Sequence, residues 1–148
     1  MADKDIPFYN IDAAVGPGCP NKRTDVMLVQ FFLHQIYAHP TKARKRPAGP
    51  DIQINGQFDA TTAIWVRHFQ DDLKGQGKPV LADGRVDRAR GEHFSNSSIS
   101  KTLYTISFLN TGHCIRFRQD HDHLERHPLI PGELKAELIE GEPKLVRD

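Results

Sequence analysis

The chain has 148 residues, 38% of them hydrophobic and 26% charged, with 20 Lys and Arg against 19 Asp and Glu. That length allows one ordinary domain, or a minimal domain with a structured extension; it excludes a large multidomain enzyme, and the composition excludes wholesale disorder. A formal charge of +1 excludes an overall field that would gather nucleic acid or an anionic membrane, so electrostatic recognition has to be local.

The start, Met1 to Phe8, is acidic where a secretory signal would be basic, and it lacks an apolar run for export. The chain is therefore expected to be cytoplasmic as synthesised. No segment reaches membrane-spanning length. Cys19 and Cys114 stand far apart without a CxxC or zinc spacing, so two separate thiols are expected rather than a disulfide.

In chain order, Gly16 to Asn21 contains two glycines and two prolines, which break regular structure and force a directed loop. A first helix is expected from Val26 to about Tyr37, capped by Thr24 or Asp25 and stopped before Pro40. Val26, Val29, Leu33 and Ile36 or Tyr37 form one buried stripe, but Leu28, Phe31 and Phe32 lie off it. Two sides of this helix should be covered, the second by the C-terminal third. The connection Thr41 to Pro50 carries Lys42, Arg44, Lys45 and Arg46; it reads as a solvated loop, or as a contact to phosphates or carboxylates of an anionic polymer.

A turn with Asn55-Gly56 at its tip leads into a second helix from Ala60 to Leu73, with Thr62, Val66, Phe69 and Leu73 on one face and Trp65 beside them. A second turn, Ala82 to Asp87, should open into a short third helix near Arg88 to Phe94. Residues 99–118 fit a helix, the favoured reading, or a hairpin turning at Asn110-Thr111-Gly112. Leu134 and Leu138 mark a final short helix over Gly132 to Ile139.

Three segments carry a family resemblance. Val26 to Leu33, with Gln30 between apolar residues, looks like a first helix; Asn55-Gly56-Gln57-Phe58-Asp59 with Thr62, Val66 and Phe69-Gln70 looks like a turn and second helix; and Asp83-Gly84-Arg85-Val86 looks like a repeat of that turn. Together, over residues 24 to 90, they resemble the peptidoglycan-binding-domain-like family. Each part has a physical task. The glycines permit the turn, Phe58 and Val86 plug the core, Thr62 supports the helix start, and Gln30 and Gln70 can tie loop backbone to helix. The chain departs from the family pattern at Asn55 for Asp, at Asp59 and Asp87 for Gly, at Arg90 for Thr, and in the long loop from Thr41 to Pro50.

The resemblance implies a mainly α fold: a small orthogonal three-helix bundle over residues 24–95, preceded by an N-terminal loop segment (1–23) and followed by a helical extension (96–148) packed on it. It implies a non-catalytic module that binds the glycan or stem peptide of peptidoglycan, without a cofactor. The contact residues it implies are Asn55, Gln57, Trp65, Arg67, Gln70, Asp83 and Arg85. Trp65 could stack on a sugar, although its helical spacing from Thr62 and Phe69 also suits the core. A cytoplasmic start requires a non-classical route to the periplasm or wall.

Two other functions compete. An interaction adapter in a bacterial secretion or phage-like assembly would reuse the fold and dock a protein through the extension. A metal-dependent hydrolase would use the segment holding His113, His121, His123 and His127, in which His123 and His127 would share a helical face. No HExxH pattern, serine elbow or phosphate-cradling glycine loop accompanies it, and a solvated histidine-rich surface is the expectation there.

Overall fold

The structure, a computed structural model, describes residues 6–42, 44–90, 103–141 and 144–146. Those residues are mainly helical and form a small helical bundle: α1 (Arg23–Ile36), α2 (Ala60–Gly75), α3 (Thr105–Arg116), α4 (Arg118–Asp122) and α5 (Gly132–Glu140). A single helical turn, Leu124–Arg126, joins α4 to the loop before α5, and β1 (Phe8–Tyr9) pairs antiparallel with β2 (Leu145–Val146). Among the described residues no helix is long and apolar enough to cross a membrane.

Helix α1 is the axis of the core. Twelve of its fourteen residues are buried, including Leu28, Phe31 and Phe32 off the main stripe, because α2 packs on one side and α3 and α5 on others. Its start differs from expectation. Lys22 occupies the cap position without a side-chain bond, and Asp25 is recruited elsewhere: its two carboxylate oxygens accept the Asp12 and Ala13 amides at 2.9 and 3.1 Å. The same carboxylate pairs with buried Lys144, whose ammonium also lies 3.7 Å from Glu137 and 3.9 Å from Asp12. Asp25 thus ties both ends of the chain to α1.

Helix α2 starts where its sequence says it should, with the Asp59 side chain accepting the Thr62 amide at 2.9 Å. The stretch from Thr105 to Arg116 is helix and not hairpin, burying Ile106, Leu109 and His113; residues 99–102 lie outside the described ones. The expected helix near Arg88 to Phe94 is not found at 88–90, which are irregular, and 91–94 lie outside the described residues. Nor is the N-terminal segment merely a loop. Tyr9, Ile11 and Val15 are fully buried in the common core, β1 holds the C-terminal strand, and Val15 exchanges backbone hydrogen bonds of 2.9 and 2.7 Å with Val86.

Both turn glycines have left-handed backbone, φ +79° at Gly56 and +78° at Gly84, but only Gly56 is also crowded, since a Cβ there would meet Arg23 Cγ at 2.6 Å. Gly84→Ala is therefore expected to cost about 1–2 kcal/mol from backbone strain alone, and Gly56→Ala measurably more. Urea midpoints of the two variants check the order, and equal losses would contradict it.

Candidate functional site

The two turns are built alike. Gln30 on α1 accepts the Asn55 and Gly56 amides at 2.9 Å through Oε1, while its Nε2 donates to the Gln57 carbonyl at 3.0 Å and the Thr62 hydroxyl at 2.9 Å. Gln70 on α2 repeats the arrangement, accepting the Gly84 amide at 2.8 Å and donating to the Arg85 carbonyl at 2.8 Å and the Thr105 hydroxyl at 3.0 Å. Within each turn the leading Asx side chain accepts the amide two residues on, Gln57 for Asn55 and Arg85 for Asp83, each at 3.0 Å. Val86 is fully buried and Phe58 is partly buried against the core. Both glutamines are fully buried, so an unmade partner at either side-chain amide is costly.

The second turn's hydroxyl comes from an unexpected place. Arg90, at the spacing of Thr62 in the first turn, does not supply it; Thr105, at the start of α3, does. The repeat is thus completed by a helix displaced along the chain. Gln70→Ala strands the Gly84 amide and the Arg85 carbonyl, and the expected loss is about 2 kcal/mol or more. Thermal unfolding of Gln70→Ala beside the exposed control Gln119→Ala measures it, and an equal melting temperature for both variants would contradict the clamp.

The expected contact residues divide by burial. Gln57, Arg67, Asp83 and Arg85 are exposed and Asn55 is half-buried. Arg67 pairs with Asp71 on its own helix at 3.2 Å. Gln70 and Trp65, by contrast, are core residues and are removed from the contact set. Trp65 is 2% exposed, its ring meets Tyr37 edge-on with centroids 5.8 Å apart, and its Nε1 donates to the Pro50 carbonyl at 3.3 Å, so no sugar reaches its face. Among the seven, Arg85 lines a hollow of about 520 Å³ bordered by Asp12, Pro20, Asp87, Arg88, Arg90 and Tyr104. Arg85 Nη2 donates to Asp87 there at 3.0 Å, and the negative charge of Asp87, more than any other neighbour, holds the guanidinium pKa above its ordinary value.

The histidines do not form the expected surface. His123 breaks the helix at φ −144°, so His123 and His127 share no helical face. Instead His113 and His121 are buried and meet through their Nδ1 atoms at 3.0 Å. His121 Nε2 lies 3.0 Å from the Pro7 carbonyl and must donate to it; a neutral His121 then accepts from His113 Nδ1–H through its own Nδ1. That leaves His113 Nε2 as a buried atom without a hydrogen-bond partner. Burial, then the neighbouring imidazoles, push the His113 pKa down to about 3, so this ring is neutral. No three His, Cys, Asp or Glu side chains converge on a metal position among the described residues, and Cys19 and Cys114 are not joined in a disulfide.

Sequence reasoning reached the two glutamine clamps through their place at the margin of apolar runs. Two further amide clamps carry no such signal. Asn10 bonds both backbone groups of Ala89, at 2.9 and 3.0 Å, and Asn110 does the same to Tyr9, at 2.8 Å each. Comparisons with protein families, with curated proteins and with solved structures gave no match.

Proposed function

We propose that the chain is a non-catalytic recognition module for peptidoglycan, with the two turns and the exposed side of α2 as its contact surface. The observation that supports this most is the pair of like-built, glutamine-clamped turns, because they give physical content to the family resemblance seen in the sequence. Their backbones are fixed by hydrogen bonds to two buried glutamines, so Asn55, Gln57, Asp83 and Arg85 are held in place before any ligand arrives. Such a surface recognises a polar polymer by hydrogen bonds with little conformational change.

Sedimentation with purified insoluble sacculi tests the reading. The expected result is depletion of the protein from the supernatant, reduced severalfold in a Gln57→Ala/Arg67→Ala double variant; undiminished depletion in that variant would remove the assigned surface. The adapter reading has one observation in its favour: Ile115 on α3 and Ile139 on α5 are 75% and 64% exposed. A protein that ignores sacculi and forms a stoichiometric complex lost in Ile115→Asp would establish that reading instead.

A further inference from the structure

A groove of about 260 Å³ opens between the C-terminal ends of α1 and α2 and the outer face of α3. It lies apart from the two turns and contains none of the contact residues expected from the sequence. Its apolar lining comes from Ile36, Phe69, Leu73 and Phe108, with Ile115, 75% exposed, at the lip. Gly112 lies on the face of α3 toward α1, where a Cβ would sit 3.2 Å from Ile36 Cδ1, a tight contact.

The polar lining is biased toward anions. Arg44, Lys78 and Arg116 bring three cations to the groove against one carboxylate, Asp72, and that carboxylate is already engaged. It accepts the Tyr37 hydroxyl at 2.5 Å and faces His68 at 3.5 Å. Burial, with that hydrogen bond, raises the Tyr37 pKa and keeps the hydroxyl a donor. Arg116 spends one nitrogen on the Gly112 carbonyl at 2.9 Å, leaving most of its fork unused by that bond. Arg44 is the sharper case. Its Nη1 is buried without a hydrogen-bond partner, so part of its charge is desolvated and uncompensated, and an anion beside it offsets that cost.

A small apolar slot with arginines beside it suits a ligand with a compact apolar body and a planar anion at one end. The volume lies below the usual range for drug-sized ligands, about 300–1,000 Å³, and therefore selects a residue or two rather than a length of polymer. We propose that this groove takes the end of a short peptide that terminates in a free carboxylate beside small apolar side chains, the chemistry of an uncrosslinked peptidoglycan stem. Arg44 and Arg116 hold the carboxylate, and the apolar lining holds the methyl groups. The assignment to a wall peptide rests on the module reading above, and it adds a second contact that uses the long Thr41 to Pro50 loop and the C-terminal extension, the two parts by which the chain departs from the family pattern.

Titration of the full chain with diacetyl-Lys-D-Ala-D-Ala and with its C-terminal amide, followed by amide chemical shifts, tests the groove. The acid is expected to bind at least about tenfold more tightly than the amide, with shifts at Gly112 and Ile115. Arg44→Gln and Arg116→Gln should each abolish that preference with an unchanged near-ultraviolet spectrum, while Gln119→Ala, at an exposed position outside both contact surfaces, leaves it intact. Equal binding of acid and amide, an unaltered preference in Arg44→Gln, or no shifts at millimolar peptide would overturn the proposal. Tighter binding of the all-L peptide would overturn its assignment to the wall. Sacculus binding without acid preference would refute the groove and spare the module; acid preference without sacculus binding would support the groove and refute the module.

Discussion

Lys144→Met is expected to lower stability by about 3–5 kcal/mol, the cost of leaving one member of a buried ion pair without its partner. Lys144 and Asp25 are 1% and 0% exposed, and the substitution leaves the Asp25 carboxylate with only the Asp12 and Ala13 amides in a water-free place. The effect reaches beyond the pair, because the same ammonium fixes β2 beside β1 and lies near Glu137 on α5. The double variant Asp25→Asn/Lys144→Met removes both charges and keeps a side chain of similar shape, so it should recover a large part of the loss. Urea unfolding of the three proteins measures both terms. A Lys144→Met protein as stable as the parent would show that the C-terminal end is not clasped as described.

Acid should destabilise the fold well before its carboxylates are protonated. An unfolded histidine takes up a proton near its ordinary pKa of 6.5, whereas His113 in the fold resists down to about 3. Between those values the unfolded chain binds the extra proton, so stability falls as pH falls, by about 1.4 kcal/mol for each unit traversed. From pH 7.5 to 4.5 the expected loss from His113 is about 2–3 kcal/mol. His127 is pushed in the same direction by burial, partly opposed by Asp120, and adds to the slope. Unfolding midpoints across that range should drop steeply, and drop less in His113→Phe. A flat profile in the parent would mean that the His113–His121 contact does not persist in solution.

The parts of this fold legible in sequence are those whose cause is local. Apolar residues off the main stripe of α1, namely Leu28, Phe31 and Phe32, announced a doubly covered helix, and α3 and α5 do cover it. Glycine at the turn tips and glutamine among apolar residues announced the clamped turns. The parts that were not legible depend on partners distant in the chain. Asp25 looked like a helix cap because acidic residues near helix starts usually are, and nothing local shows that a lysine 119 residues on would claim it. Arg90 looked like a missing threonine because spacing was counted along the chain, whereas Thr105 fills the role across space. The histidines pair across the break between α3 and α4, a geometry no helical spacing encodes. In the candidate site, exposure was the missing variable: Trp65 and Gln70 have the right chemistry for a ligand and the wrong location.

The central claim, that this chain holds the cell wall without cutting it, is tested most directly by incubating the purified protein with fluorescently labelled sacculi and reading two quantities at once. The account predicts that the protein leaves the supernatant with the pellet while no labelled fragment is released. Protein remaining wholly in solution, or soluble fragments accumulating with time, would contradict it.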